Sequence, residues 1–287
     1  MTAYRRPTRL TEALALLAAA PAPPLLLAGG TDIYPAQAAG QAWMRPADRP
    51  LLDLSALPEL AGIKDHGDHH RIGASVTWAA LRDAGLPPWF MALRQAAAQI
   101  GGAQVQNRGT LVGNLCNASP AADGVPPLLA LDAEIELASL RGVRRLALAD
   151  FILVNRRTAL ALDEIATAVI VPKAASGGVA RFEKLGARAY LVISIVMVAA
   201  VIETRAGRIS RARIAIGACS PVAMRLPALE AALVGQPIVA ACAVPADEHL
   251  AALAPIDDVR ATAAYRRHAA LVLLRRALTP PAEALAA

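Results

Sequence analysis

The sequence predicts an α+β protein built from two domains. At 287 residues the chain is long enough for two modest domains, each with its own core. Strand-like and helical segments alternate up to Pro172, whereas three β-like runs and then three helical segments follow it. Between these two patterns, residues 173–178 are small and rich in glycine, as in a linker. We therefore expect one domain over residues 1–173 and a second over residues 178–287.

A glycine turn after a buried strand is the first candidate site. Residues 10–20 predict a helix with Thr8 as its cap, and the apolar residues 25–28 predict a strand. This strand runs into Gly-Gly-Thr-Asp at residues 29–32, whose exposed amides could bind a phosphate. The motif is neither a Walker loop nor the G-x-G-x-x-G fingerprint, and an ordinary tight turn is the alternative. A short helix and a strand follow, over residues 34–39 and 50–54.

The second candidate site is the segment over residues 101–123, which holds four glycines and three asparagines. It has few large apolar residues, yet apolar segments flank it, so we expect a structured loop inside the fold. Glycine permits positive φ and close backbone approach, and Asn and Ser add short hydrogen bonds, so main-chain amides can turn toward an anion. A long surface loop is the alternative. Together the two glycine loops indicate one extended diphosphate ligand.

The elements around this second loop follow ordinary patterns. His66, His69 and His70 invite a metal site, but the charged residues around them favour a solvated turn. A strand through Ile72 and a helix that begins near its predicted cap, Thr77, come next. The other predicted elements are helices over residues 87–99 and 125–131, a β-hairpin around residues 140–142, and a strand over residues 165–171.

The C-terminal domain is predicted to be a small antiparallel sheet packed with helices. Three β-like runs with short turns indicate a meander, over residues 179–185, 191–203 and 208–219. Helical patterns then cover residues 226–234, 240–253 and 262–278. The arginines of the last helix flank an apolar middle, which is typical of solvated ends and a buried stripe; they are Arg266, Arg267, Arg275 and Arg276.

Composition and charge exclude several classes of protein. The net charge is +6, but the basic residues are scattered, so nucleic-acid binding is not indicated. Cys116, Cys219 and Cys242 stand far apart, so the chain cannot itself hold an iron–sulfur cluster or a structural zinc. The longest uncharged apolar run, residues 189–202, is too short to span a bilayer. The N-terminus resembles a signal peptide only superficially, because Glu12 interrupts its apolar stretch, and we expect a cytoplasmic protein.

Four motifs occur in a fixed order along the chain. They are LLLAGGTDI at residues 25–33, NRGTLVGNLCNASPAADGVPPLLALDAEIEL at residues 107–137, FEKLGAR at residues 182–188 and DDVRATAAYRR at residues 257–267. This set resembles the FAD-binding subunit of the molybdenum hydroxylases, the xanthine dehydrogenase and carbon monoxide dehydrogenase family. The resemblance spans nearly the whole chain. It implies a PCMH-type FAD-binding domain of two α/β lobes, followed by a C-terminal domain like that of the CO dehydrogenase flavoproteins.

The resemblance also implies which residues bind FAD. The two glycine loops would wrap the diphosphate and ribityl chain, Asp123 matches a carboxylate that contacts FAD, and Lys184 matches a lysine close to the flavin. Asp32 could bind a hydroxyl or cap the next helix, and a helix cap is also the alternative for Asp123. The implied cofactor-binding residues are Leu26, Leu27, Ala28, Gly29, Gly30, Thr31, Asp32, Ile33, Ile100, Thr110, Val112, Gly113, Asn114, Asp123 and Lys184. No residue is implied to be catalytic or to bind a metal.

Three departures from the family pattern concern the surroundings of the flavin. The family has Gly-Gly-Asn where this chain has Val-Gly-Asn at residues 112–114, and valine does not readily take positive φ. It has Ile-Arg-Asn where this chain has Val-Gln-Asn at residues 105–107. The acidic residues that often follow the Lys-x-x-x-Arg motif are replaced by Tyr-Leu-Val at residues 190–192. We therefore expect the surroundings of the flavin to differ from the family pattern at these positions.

The function implied by the resemblance is that of an FAD-dependent oxidoreductase subunit. In the resembled enzymes a large subunit with the molybdenum cofactor hydroxylates the substrate. A small subunit relays electrons through [2Fe–2S] clusters, and the FAD subunit passes them to an external acceptor. We expect both partners as separate chains, with a dimer of heterotrimers as one arrangement. Two other classes stay open: a self-sufficient flavin oxidase, for which the sequence offers no base, and a binding or assembly protein that has lost its cofactor.

Overall fold

The computed structural model describes residues 4–42, 49–173, 178–189 and 191–280. Helices and strands are mixed along the chain, which confirms the predicted α+β class. Most of the predicted linker, residues 174–177, lies outside the described residues, and so does Tyr190 of the third departure.

The first lobe is a small parallel sheet with two helices. Strands β1 (Tyr4–Arg5), β2 (Leu25–Leu27) and β3 (Leu51–Asp53) pair in the order β1-β3-β2. Helix α1 (Leu10–Ala18) packs on the core through one face, and α2 (Ile33–Ala42) begins directly after the first glycine loop. This loop therefore leaves the carboxyl end of a parallel strand, a position where ligands often bind.

The second lobe is a five-stranded antiparallel sheet in the order β4-β5-β10-β6-β7. Its strands are β4 (Ile63–Asp65), β5 (His69–Gly73), β6 (Glu134–Ser139), β7 (Gly142–Ala147) and β10 (Ile165–Pro172). The helices around it are α3 (Trp78–Asp83), α4 (Met91–Gln99), α5 (Ala103–Arg108), α6 (Leu111–Asn117), α7 (Val125–Ala130) and α8 (Leu148–Phe151). A short hairpin, β8 (Ile152–Val154) and β9 (Arg157–Thr158), precedes β10.

The C-terminal part of the chain is an antiparallel meander with helices on one side. Its strands pair in chain order and are β11 (Val179–Leu185), β12 (Val196–Arg205), β13 (Arg208–Gly217) and β14 (Met224–Arg225). Helices α9 (Pro227–Leu233) and α10 (Ala263–Ala277) follow, and Thr262 caps α10 by accepting a hydrogen bond from the Tyr265 amide.

Both faces of this C-terminal sheet are buried. Met197, Ala199 and Val201 of β12 belong to the core that the first two lobes share. Val196 and Val198, which alternate with them, pack instead into a second core with α9 and α10. The sheet thus separates the two cores, and the side chain of Lys184 on β11 reaches Asp123 at the end of the second glycine loop.

Most predicted helices and strands are confirmed, but four predictions about their bounds or caps are wrong. The second strand of the meander begins at Val196 rather than at residue 191. Residues 101–123 are not a continuous loop, because they include the short helices α5 and α6. Residues 240–253 form two 3-10 turns, Ile238–Ala243 and Asp247–Leu250, since Pro245 cannot continue a helix. Thr8 does not cap α1; instead the Leu10 amide donates a 3.0 Å hydrogen bond to Glu59.

Two predictions about polar side chains are also corrected. His69 and His70 lie on β5 rather than in a turn, and His70 is buried against Phe90, where burial lowers its pKa. Arg266 is not at a solvated helix end, because only 1 % of it is exposed. Within the described ranges, no group of three or more His, Cys, Asp or Glu side chains is arranged to hold a metal ion. No helix there is long and apolar enough to cross a membrane.

Candidate functional site

The first glycine loop rests against the backbone of the second. A Cβ atom on Gly29 would overlap the carbonyl oxygen of Arg108 and would lie 2.9 Å from the Cα of Gly109. Gly30 is buried and has a φ of +77°, a left-handed conformation that residues with a side chain rarely adopt. Gly29 therefore permits the contact between the loops, whereas Gly30 permits the turn after β2.

The amides of the first loop have no acceptor within the described part of the chain. None of the five backbone N–H groups from Ala28 to Asp32 donates a hydrogen bond to another described residue. Gly30 is buried, and Ala28, Gly29 and Thr31 are half-buried. An unpaired buried amide costs about 1–3 kcal/mol, so a row of such amides indicates a ligand with several acceptor oxygens.

The second loop is built around the start of α6. Thr110 caps this helix by accepting a 3.1 Å hydrogen bond from the Gly113 amide at Oγ1. Val112 is buried in the first helical turn and needs no positive φ, so the first departure from the family pattern is accommodated. The amides of Thr110 and Val112 donate to no other described residue, and they add two donors beside the first loop.

Gln106, the second departure, has a structural role. It is buried, and its Nε2 donates to the carbonyl oxygens of Ala98 at 3.1 Å and Ile100 at 3.2 Å. Its Oε1 accepts a 2.8 Å hydrogen bond from Arg82. The side chain therefore joins the end of α4 to α5 and holds Ile100 in place.

Asp32 is tied to the second loop. Asn117, the last residue of α6, donates from Nδ2 to Asp32 Oδ1 at 2.9 Å, and Arg156 donates to the Asn117 oxygen. A capping bond from the Asp32 side chain to α2 is not among its hydrogen bonds to described residues. The carboxylate thus links the two glycine loops, with its second oxygen left for another donor.

Two adjoining cavities lie along these loops. The larger, of about 590 Å³, has apolar walls that include Leu54, Leu60 and Ile165, and Arg49 and Arg108 also line it. The smaller, of about 300 Å³, runs past Gly30, Ile100 and Asn114. Their shared wall consists of Leu25, Leu26, Ala28, Gly29, Thr110, Gly113 and Cys116. One elongated ligand could therefore extend from one cavity into the other across both loops, and the volumes suit an organic cofactor.

Asp123 and Lys184 form a buried ion pair outside the lining of both cavities. Lys184 Nζ lies 2.6 Å from Asp123 Oδ2, and the two side chains are 5 % and 8 % exposed. Lys184 also donates to the Gln99 carbonyl oxygen at 3.4 Å. Burial raises the pKa of the Asp123 carboxyl, while the ammonium of Lys184 opposes that shift.

The structure brings most of the predicted residues together. Twelve of them line one or both cavities: Leu26, Ala28, Gly29, Gly30, Thr31, Asp32, Ile33, Ile100, Thr110, Val112, Gly113 and Asn114. Leu27 lies in the core, and Asp123 and Lys184 are buried and line neither cavity.

The residues of the site that were not predicted from the sequence include Arg49, Arg108, Cys116 and Ser194. Arg108 and Cys116 lie inside the long central motif, so their position in that motif was a usable signal. Burial raises the pKa of the Cys116 thiol to about 12, and it stays protonated at neutral pH. Arg49 and Ser194 stand outside every motif, and only the fold places them near the site.

Comparisons with known proteins show the family to which the chain belongs. Residues 1–174 match the family model described as the FAD binding domain in molybdopterin dehydrogenase, and residues 181–280 match the CO dehydrogenase flavoprotein C-terminal domain. The xanthine dehydrogenase FAD-binding subunit of Escherichia coli O157:H7 is 31 % identical, over 99 % of this chain and 96 % of that subunit. The nicotinate dehydrogenase FAD-subunit of Eubacterium barkeri is 36 % identical, over 61 % of this chain but only 59 % of that subunit.

A solved structure shows the same fold. Reconstituted CO dehydrogenase from Oligotropha carboxidovorans contains a chain that superposes with a TM-score of 0.86 at 27 % identity, covering 97 % of this chain and 96 % of that one.

Proposed function

We propose that this chain, a member of the family of FAD-binding subunits of the molybdenum hydroxylases, is the electron-transfer unit of a larger oxidoreductase. In this role it accepts electrons from a [2Fe–2S] partner and passes them through FAD to an external acceptor. The relatives are named as dehydrogenase subunits, and this chain is accordingly an oxidoreductase subunit.

The observation that carries the proposal is the row of amides from Ala28 to Asp32. Five consecutive donors without acceptors among the described residues form a cradle that suits an anionic ligand, and the diphosphate of FAD would supply several acceptor oxygens to it. Thr110 and Val112 add donors from the second loop. The residues present therefore fit the cofactor that the family model implies.

The two cavities suggest how the cofactor is oriented. The larger cavity has apolar walls, such as Leu54 and Ile165, that suit the adenine ring, with Arg108 near the phosphates. The smaller cavity would take the ribityl chain, with Asp32 available to a hydroxyl. The flavin ring would then lie toward Ile100, in front of the Asp123–Lys184 pair. Bound FAD supplies the redox chemistry, and the protein positions it and adjusts its potential.

The metal centres would be carried by other chains. A [2Fe–2S] cluster needs four protein ligands, and the three cysteines of this chain stand far apart, each as a free thiol. We therefore propose a large molybdenum-cofactor subunit and a small iron–sulfur subunit as partners, in the cytoplasm, with a dimer of heterotrimers as one assembly. The relatives are themselves named as subunits, which supports a multi-chain enzyme.

Purification of the complex from the native cells tests this function. We expect FAD, iron and molybdenum to co-purify with the chain, and the chain made alone to contain FAD but neither metal. Rapid oxidation of an organic substrate by the isolated chain would contradict the proposal in favour of a self-sufficient flavin oxidase. A colourless chain that binds no added FAD would contradict it in favour of an assembly protein.

A further inference from the structure

Both carboxylate oxygens of Asp123 are held by the protein. Oδ2 lies 2.6 Å from Lys184 Nζ, and Oδ1 accepts a 2.5 Å hydrogen bond from Ser194 Oγ. The two partners come from different elements: Lys184 from β11, and Ser194 from the segment just before β12. The orientation of this carboxylate is therefore fixed by two residues of the C-terminal part of the chain.

Burial makes the Ser194 hydroxyl important for the charge of Asp123. Ser194 is fully buried, and the side chain of Asp123 is only 8 % exposed, so water cannot replace the hydroxyl readily. A buried carboxylate stays ionised only where opposite charge and donated hydrogen bonds offset its desolvation. Lys184 supplies the charge, and Ser194 supplies the one side-chain hydrogen bond to Oδ1 among the described residues.

Two hydrogen bonds connect this cluster to the lining of the smaller cavity. The residue after Asp123, Gly124, donates its amide to the side-chain oxygen of Asn114 at 3.4 Å, and Asn114 lines the cavity. Lys184 contacts the carbonyl of Gln99, whose neighbour Ile100 also lines the cavity. A change in the charge of the cluster would therefore change the electrostatic potential at a ligand in that cavity.

We propose that Ser194 is a positioning residue for the flavin site: its hydroxyl keeps the Asp123 carboxylate ionised and oriented, and so sets the net charge beside bound FAD. Only the effect on bound FAD rests on the proposed function. The hydrogen bond from Ser194 and its effect on Asp123 do not need the cofactor.

The sign of the effect follows from the charges. Without the hydroxyl, the carboxylate loses a stabilising donor, and its pKa rises further above its ordinary value. Protonation of Asp123 would leave the ammonium of Lys184 uncompensated. Since reduction of bound FAD adds negative charge, an uncompensated ammonium favours it, and the midpoint potential should become more positive.

Ser194→Ala, made in the full chain, tests both halves. The Asp123 carboxyl, assigned by its loss in Asp123→Asn, is titrated by infrared difference spectroscopy in the FAD-free chain, and the FAD potential is measured in the loaded chain. We expect an upward shift of the carboxyl titration and a more positive potential for Ser194→Ala. Ser194→Thr, which keeps the hydroxyl, should stay close to the parent in both. Ser139→Ala should change neither, because Ser139 is a buried serine of the β6–β7 hairpin whose hydroxyl accepts from the Arg141 amide.

The outcomes separate this inference from the proposed function. An unshifted Asp123 titration in Ser194→Ala overturns the inference, and so does a shifted titration with an unchanged FAD potential. A parent chain that binds no FAD overturns the proposed function instead, while the titration of the FAD-free chain still decides whether Ser194 controls Asp123. If Ser194→Ala does not fold, Ser194→Cys replaces it, because a thiol is a weaker donor than a hydroxyl.

Discussion

Asn117 Nδ2 lies 2.9 Å from Asp32 Oδ1 and joins the end of α6 to the first glycine loop across 85 positions of sequence. If this bond holds the loop amides in place, Asp32→Ala should raise the Kd for FAD about tenfold, a loss of about 1.4 kcal/mol in binding free energy. Asp32→Asn keeps an oxygen that can accept from Asn117 and should bind FAD more tightly than the alanine variant. Fluorescence titration of the three proteins with FAD measures this order, and equal affinities for alanine and asparagine would contradict it.

Gly29→Ala should lower FAD affinity by at least about tenfold, because the added Cβ would push the first loop away from the Arg108 carbonyl. Gly85→Ala is the matched control, since a Cβ there meets no atom within 4 Å. FAD titration measures the affinity of each variant, and thermal unfolding shows whether each variant is still folded. Unchanged FAD binding in Gly29→Ala, with the fold intact, would show that the contact between the loops does not shape the site.

The Asp123–Lys184 pair should adjust the flavin potential through its two opposite charges. Lys184→Met should lower the midpoint potential by tens of millivolts, given that about 59 mV corresponds to a tenfold change for one electron. Asp123→Asn should raise it, and the double variant should lie closer to the parent because both charges are gone. Spectroelectrochemical titration of the FAD-loaded proteins measures all four values. A shift of the same sign in both single variants would contradict this charge model.

Asp258 should stabilise the C-terminal core through the buried Arg266, whose Nη2 lies 2.7 Å from its Oδ1. Asp258→Asn should lower the free energy of unfolding by about 2 kcal/mol, because it removes the charged acceptor of a buried guanidinium, and the 20 % exposure of the Asp258 side chain weakens the pair. Asp68→Asn should hardly change the free energy of unfolding, because the Asp68 side chain is 85 % exposed. Urea unfolding gives both values, and equal stabilities of the two variants would contradict the assignment.

The contribution of Asp258 should also depend on pH. Hydrogen bonds from Arg260 hold the pKa of the Asp258 carboxyl below its ordinary value of 3.8. A carboxyl whose pKa is lower in the folded chain than in the unfolded chain stabilises the fold. This stabilisation is fully present above the pKa of the unfolded chain, and it is lost as pH falls through the pKa of the folded chain. The stability difference between the parent and Asp258→Asn should therefore be constant near neutral pH and shrink below pH 3.8. A difference that grows in acid would contradict this sign.

Local sequence patterns predicted the helices and strands that are marked by apolar runs, caps or turn residues. The strand before Gly29, the Thr77 cap, the hairpin after α7 and the C-terminal meander all follow from apolar runs, caps and turn residues. The helices α5 and α6 were missed because glycine and asparagine favour loops, whereas here Thr110 caps α6 and buried Gln106 anchors α5.

The parts of the site that sequence reasoning missed depend on long-range contacts. Nothing near Ser194 indicates that it reaches Asp123, 71 positions earlier. Arg266 was predicted to lie at a solvated helix end, because its acceptors, the carbonyl oxygens of Ile195 and Ala218, come together only in the folded chain. Gly30→Val, an obvious substitution from the sequence alone, would strain the backbone itself, since Gly30 has a positive φ. Gly29→Ala therefore tests the site more selectively.

The most direct measurement is heteronuclear amide NMR of the FAD-free chain during titration with FAD. If the first loop holds the diphosphate, the amide resonances from Ala28 to Asp32 should shift strongly and saturate at one FAD per chain, because these donors lack acceptors among the described residues. ADP should shift the same amides more weakly, whereas riboflavin, which has no phosphate, should leave them nearly unchanged. FAD binding that leaves these five amides unshifted would contradict the assignment of the first glycine loop as the diphosphate site.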